Sequence, residues 1–124
     1  MFDRRNGMQA ISLRFSMITT PEDYGRLRIS EPERFNHILW SYIDIRDAVS
    51  ACIAALQAED RGALCLNITS DDTLSDWETD RLIAQFYPGV QDLRRRFQGR
   101  EAIVSNALAK DTLGWSPKYT WDNP

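Results

Sequence analysis

The stretch LWSYIDIRDAVSACIAALQAEDRGALCLNI, Leu39 to Ile68, decides the fold class. Leu39 to Ile45 is rich in aromatic and β-branched residues, so it reads as extended chain. Val49, Cys52, Ile53 and Leu56 then fall at i, i+3, i+4 and i+7, which is one apolar stripe of a helix. Asp44 or Asp47 can accept hydrogen bonds from the free N–H groups of its first turn. Gly62 supplies the left-handed residue that closes the helical region. Ala63 to Ile68 is a mostly apolar run, as expected of a buried strand.

Upstream, Gln9 to Phe15 places Ile11, Leu13 and Phe15 on one side and Ser12 and Arg14 on the other. That period of two predicts a strand, entered from the turn dipeptide Asn6-Gly7. Pro21 to Asn36 is polar, holds Pro32 and reads as a loop with short helical turns at most. Downstream, Ser75-x-x-Glu78 has the pattern of a capping box, opening a helix that carries Trp77, Leu82, Ile83 and Phe86. Pro88-Gly89 stops it. Val90 to Phe97 reads as extended and contains Arg94-Arg95-Arg96. Ser105 can cap a short helix through Leu113, with Gly114 as terminator. Strand–helix–strand alternation predicts an α/β arrangement with a parallel pair. The expected fold is a short parallel strand pair with two main helices and a short C-terminal helix.

The 124 residues make about one domain. Hydrophobic residues are 43% and charged residues 27%, as in ordinary globular chains. The net charge is -3 and the pI about 5.1, so there is no overall pull toward nucleic acid or anionic membrane. No signal-type apolar region precedes residue 20, and no run approaches the ~20 residues that span a bilayer. A cytoplasmic location follows as an expectation. Cys52 and Cys65 sit in apolar runs and read as buried reduced thiols. A single histidine, His37, excludes a His-based metal site from one chain. There is no Gly-x-Gly-x-x-Gly turn and no Gly-Lys-Ser/Thr phosphate loop. Asp71, Asp72 and Asp76 read as capping and solvated carboxylates.

Four segments resemble, in order, the C-terminal part of the NAD(P)-dependent epimerase/dehydratase family, the extended short-chain dehydrogenases. Leu39-Trp40-Ser41-Tyr42-Ile43-Asp44-Ile45-Arg46-Asp47-Ala48 is similar to the family's aromatic-(Val/Ile)-x-(Val/Ile)-x-Asp-(Val/Ala) stretch. Ile11-Ser12-Leu13-Arg14-Phe15 resembles its Leu-Arg strand, followed by Pro21. Gly62 to Ile68 resembles the strand that ends Asn-(Ile/Leu), with Asn67-Ile68 in place. Leu113-Gly114-Trp115-Ser116-Pro117 resembles the closing Leu-Gly-Trp-x-Pro.

The resemblance implies a substrate-side domain over residues 1–124, without the cofactor-binding Rossmann half. The family's glycine-rich turn and Tyr-x-x-x-Lys pair do not occur here. Tyr24-x-x-x-Arg28 and Tyr42-x-x-x-Arg46 have the spacing but put Arg where the family needs Lys, so no catalytic residue is assigned. NAD or NADP is implied as the family's cofactor, and none is expected on this chain alone. Phe15, Ser16 and Met17 follow the Leu-Arg strand, where the resemblance places the nicotinamide end of a cofactor and the substrate. Trp40 stands near the position of an Arg that touches the diphosphate in UDP-sugar epimerases. Placed at the substrate by that resemblance, it lacks the charge a nucleotide sugar needs. Arg95 and Arg96 lie near another substrate Arg of the family and could grip an anion; a solvated basic stretch is the competing reading. Asp47 and Asn67 match family positions and are expected to be structural.

A lone strand pair leaves an edge bare, which invites pairing with another chain. The expected partner is a second copy or another chain covering that edge, with a small sugar-like ligand. Two functions compete: a partial sugar epimerase/dehydratase, inactive alone, and a stand-alone ligand-binding or dimeric module derived from that family.

Overall fold

The computed structural model describes residues 9–59, 62–90 and 96–124. Strand β1 (Ala10–Phe15) pairs parallel with β4 (Ala63–Ile68), in a register running from Ala10 opposite Ala63 to Phe15 opposite Ile68. One residue beyond β1, strand β2 (Met17–Thr19) pairs parallel with β3 (Tyr42–Asp44). Short 3-10 turns at Asp23–Gly25, Pro32–Arg34 and Asn36–Ile38 fill the connection between them. Helices α1 (Ile45–Gln57), α2 (Thr79–Phe86) and α3 (Ala107–Leu113) complete the α/β arrangement. The parallel strand pair expected from residues 9–15 and 63–68 is present.

Two cores hold these elements. Ile43, Ala48, Ala51, Leu66, Ile68, Ala109 and Trp115 form the first, between α1, β4 and α3. Phe35, Trp40, Tyr42, Leu74 and Leu82 form the second, around α2 and the turns.

Of the two caps the sequence offers, Asp44 and Asp47, helix α1 starts at Asp44. The Asp44 carboxylate accepts the Arg46 N–H at 2.8 Å from a β-region N-cap. Its facing differs from the expectation. The side turned to the core is Asp47, Ala48 and Ala51. Val49 is 51% exposed, Ile53 49% and Leu56 85%. The alanines let the helix backbone approach the sheet closely, and Leu66, Ile68 and Trp115 supply the bulk from the other side. Strand β4 buries Leu66 and Ile68 and exposes Ala63, Cys65 and Asn67, so one face only is covered. Both cysteines are therefore exposed, Cys52 on α1 and Cys65 on the open sheet face, which corrects the buried-thiol reading.

The extended reading of Leu39 to Ile45 holds only from Tyr42 to Asp44. Leu39 and Trp40 take left-handed backbone, φ 54° and 55°, which costs non-glycine residues energy. The turn drives the Trp40 ring edge-on against Phe86 and Tyr87, at 5.6 and 6.2 Å between centroids. The capping box does not form. Ser75 Oγ accepts from the Trp77 N–H, and α2 begins later, at Thr79, whose hydroxyl donates to the Glu101 carbonyl at 2.6 Å. Tying α2 to the 99–101 segment takes precedence over the local cap. The short helix behaves as expected: Ser105 Oγ accepts the Ala107 N–H, and Gly114 closes α3 at φ 64°. Most of the expected Val90–Phe97 extended segment lies outside the described residues.

Candidate functional site

In open α/β sheets ligands sit beyond the carboxyl ends of parallel strands. At that end of β4 a cleft of about 590 Å³ opens between the Asp71 turn, the 97–105 segment and the start of α3. Asp71 is its hub. Asn106, buried at the N-cap of α3, donates its Nδ2 hydrogens to the Thr69 carbonyl and to Asp71 Oδ1, both at 2.9 Å. Lys110 lies one turn further along the same helix face and donates to the same Oδ1 at 2.6 Å. The Ala102 N–H donates to the Asp71 carbonyl at 2.8 Å, which fixes the opposite wall. The Asp71 and Lys110 side chains remain 53% and 35% exposed. An ion pair in contact with water contributes little to stability, so this group can exchange its partners for those of a ligand at small cost. Phe97, Ile103 and Val104 add an apolar wall.

Phe15, Ser16 and Met17 stand at the matching end of β1. Phe15 is opposite Ile68 and 39% exposed, and the Ser16 N–H donates to the Ile68 carbonyl at 3.2 Å. Met17 packs against the second core. Trp40 is fully buried, and its Nε1 donates to the Pro32 carbonyl at 2.8 Å. That leaves no Trp40 surface for a substrate: its place is in the core, because the left-handed turn aims it inward. Arg96 is exposed and adjoins Phe97 in the cleft wall, while Arg95 lies outside the described residues. Asn67 is exposed and reaches the Ser105 carbonyl at 3.4 Å.

Asp47 is structural in a different way from a helix cap. Its two carboxylate oxygens accept the N–H groups of Lys118 and Tyr119, each at 2.9 Å. Its carbonyl and the Ser50 hydroxyl both receive Trp115 Nε1. Sequence reasoning reads Asp71 only as a capping or solvated carboxylate and passes over Asn106 and Lys110. The i, i+4 spacing of Asn106 and Lys110 was the available signal, and it is common on any helix.

Two further polar groups adjoin the strand ends. At β3 the buried Asp44 takes Arg46 through two side-chain bonds of 2.9 Å and the Tyr24 hydroxyl at 2.8 Å. Arg46 in turn stacks 3.6 Å above the Tyr119 ring. Burial pushes the Asp44 carboxyl up, but the Arg46 hydrogen bonds, Tyr24 and the guanidinium charge outweigh it, so the net direction is down. Asp72 accepts from the Tyr42 hydroxyl at 2.6 Å and from Ser70 at 2.9 Å. Its carboxyl is raised, first by burial, with those hydroxyls opposing. Burial and the Asp72 carboxylate also raise Tyr42, so the phenol remains a donor.

The signs of these shifts give an expected result. A depressed Asp44 stabilises the fold above the ordinary aspartate pKa of about 3.9, and that contribution disappears as pH falls through its lower folded value. Asp72 acts oppositely: the fold favours its protonated form, and that preference is lost as pH rises through its raised folded value. Asp72→Asn is therefore expected to hold or raise stability at pH 7. Asp44→Asn is expected to lower it there and to flatten the loss seen on acidification. Urea unfolding at pH 7 and pH 3 checks both.

A dinucleotide is held by a glycine-rich turn that lets its diphosphate approach a helix N-terminus. At α1 that place is taken by the Asp44 carboxylate on the first-turn N–H, and α2 begins behind Glu78. The starts of α1 and α2 thus do not fit a dinucleotide diphosphate, and no step is derived through one. Among the described residues no helix is long and apolar enough to cross a membrane.

No protein-family model and no curated protein matches the chain. Among solved structures it is similar to MoeE5 in complex with UDP-glucuronic acid and NAD, with a TM-score of 0.52 and 17% sequence identity. The likeness covers 93% of this chain and 44% of that one, so this chain spans less than half the length of that protein. It shows the fold alone: a partial Rossmann-like α/β arrangement.

Proposed function

We propose that this chain is a substrate-side domain of the sugar epimerase/dehydratase kind, whose cleft at the end of β4 receives a small sugar-like ligand. The observation that carries this is the Asp71–Asn106–Lys110 group, facing a 590 Å³ cleft at the carboxyl end of a parallel pair. Its chemistry suits a polyhydroxy ligand with an acidic group. Lys110 Nζ donates to a carboxylate or phosphate oxygen, Asp71 accepts from sugar hydroxyls, and the Ser105 hydroxyl both donates and accepts. The apolar wall of Phe97 and Ile103 takes a sugar face. The chain binds and orients; hydride transfer to a nicotinamide belongs to residues it does not contain, so it is inactive by itself. In this reading Phe15 and Ser16, at the end of β1 beside β4, contact a cofactor held by such residues. UDP-glucuronic acid, seen in the structural neighbour, is the first ligand to try.

The test is an NMR titration of the purified chain with glucuronic acid, UDP and UDP-glucuronic acid. Shifts confined to Asp71, the 97–105 segment and the Asn106 carboxamide are expected, with affinity lowered about tenfold in Lys110→Ala, the loss of one charge-assisted hydrogen bond of ~1.5 kcal/mol. No shift with any of the three would end the proposal. Turnover with NAD alone would remove the claim that the redox groups lie elsewhere.

A second reading, a free-standing binding module, draws on the two separate cores, both built from described residues of this chain. The intact mass of the native protein in its source cell separates the two.

A further inference from the structure

Asn106 stands at the N-cap of α3, where asparagine ordinarily spends its side-chain oxygen on a first-turn N–H. Here it does not. Its backbone lies at φ -112° and ψ 13°, away from the β region that such a cap needs, and the side chain makes no cap bond. The carboxamide is held by its nitrogen instead. Both Nδ2 hydrogens are taken, one by the Thr69 carbonyl and one by Asp71 Oδ1, each at 2.9 Å. Flipping the group would set Oδ1 against two oxygens, so the carboxamide has a single orientation. The residue is only 8% exposed, and its Oδ1 takes no bond from any described residue. That oxygen is not sealed in. Among the described residues the buried side-chain atoms left without a partner are Thr73 Oγ1 and Asp80 Oδ1. The small accessible part of Asn106 therefore includes Oδ1, and the surface it lines is the cleft. Lys110 Nζ and Asn106 Nδ2 share Asp71 Oδ1, so the ammonium and the carboxamide are neighbours on that wall.

We propose that Asn106 Oδ1 is the specificity group of the cleft and selects ligands that donate a hydroxyl hydrogen beside their acidic group. This rests on the sugar-binding reading above. A carboxamide pinned by its nitrogen cannot turn that nitrogen toward an ether or a carbonyl, so toward the cleft it only accepts. Its two Nδ2 bonds polarise the carbonyl and strengthen it as an acceptor. A ligand without a matching donor displaces water from Oδ1 and leaves it unpaired, which is how a polar site rejects an analogue that lacks one hydroxyl. Asp71, with its side chain 53% exposed, can adjust to a ligand. Asn106 cannot, so the fixed acceptor sets the choice. Lys110 takes the acid. Because the two groups adjoin, the selected hydroxyl sits on the carbon next to the one that bears the carboxylate. In glucuronic acid that is the 4-hydroxyl.

The test changes the ligand and leaves the chain unaltered, because Asn106→Ala empties a buried site and unpairs the Thr69 carbonyl. Glucuronic acid, 4-deoxyglucuronic acid and 4-O-methylglucuronic acid are titrated into the isotope-labelled chain and followed by NMR. Glucuronic acid is expected to move the Asn106 Nδ2 side-chain resonances. Both analogues are expected to bind about tenfold more weakly or worse, to shift Lys110 still, and to leave the Asn106 side-chain resonances in place. A 4-deoxy analogue that binds as well as glucuronic acid overturns the proposal while the sugar-binding reading stands. So do Asn106 side-chain resonances that stay unmoved when glucuronic acid binds. Weakening by the 4-O-methyl analogue alone reports crowding at that carbon and also overturns it. Binding of none of the three ends the sugar-binding reading and this proposal together.

Discussion

Trp40→Ala is expected to destabilise the chain by about 3–5 kcal/mol, the usual cost of emptying a buried tryptophan site. The side chain is fully buried, two aromatic rings contact it in T-shaped geometry, and its Nε1 donates to the Pro32 carbonyl at 2.8 Å. Removal leaves a void between α2 and the 32–38 turns and an unpaired carbonyl. Part of the cost returns, because residue 40 sits at φ 55° and, with no ring to hold it there, relaxes out of the left-handed region and releases that strain. Trp40→Phe keeps an aromatic ring and is expected to lose less, about half. Urea unfolding followed by circular dichroism measures both. The result also separates two roles for this residue. A substrate contact would leave stability near the parent value and alter ligand affinity, whereas a core role does the reverse. Unchanged unfolding in Trp40→Ala would contradict the packing described above.

The second large effect belongs to Asp47. Asp47→Ala is expected to cost about 2–4 kcal/mol, because two backbone N–H groups, on Lys118 and Tyr119, lose their acceptor at a site only 2% exposed. The loss is directional. Residues 118–121 should detach first, freeing Tyr119 from Arg46 and Trp121 from its bonds to the Tyr42 hydroxyl and the Thr73 carbonyl. Hydrogen exchange should rise at Lys118, Tyr119 and Trp121 before it rises in β1 and β4. Asp47→Asn keeps one acceptor oxygen and is expected to retain about half of the stabilisation. Uniform exchange across the chain in Asp47→Ala would show that this carboxylate does not tether the tail.

These two residues mark where sequence reading stops. Asp47 was recognised as structural, and a cap was the only role its neighbours along the chain could suggest. Its real partners stand 71 and 72 positions away. Trp40 reads as extended because aromatic residues favour strands, and as substrate-side only through the family resemblance. A pair of left-handed residues, invisible in side-chain composition, turned it into the core. The helix α1 stripe is the same lesson. Periodicity correctly marked Val49, Cys52, Ile53 and Leu56 as one face, and could not say whether that face looked toward the sheet or away from it. Three small residues, Ala48, Ala51 and Ala54, won the inward position because they permit close packing on the sheet, where Ile43, Leu66 and Ile68 supply the bulk. At the cleft, Asp71 and Lys110 are 39 residues apart, and neither carries a local mark.

By itself the sequence determined whatever depends on near neighbours: strand alternation in residues 10–15, the Asp44 start of α1, the glycine at 114 that ends α3, and a parallel α/β order. Those features follow from backbone geometry and hydrogen bonds within a few residues, so the local chain contains their causes. Tertiary structure alone decided which face of α1 is buried, that Trp40 is core, and that Asp71, Asn106 and Lys110 meet. Each of those depends on which distant surfaces pack most closely and satisfy one another's polar groups, and that competition is settled only when the whole chain closes.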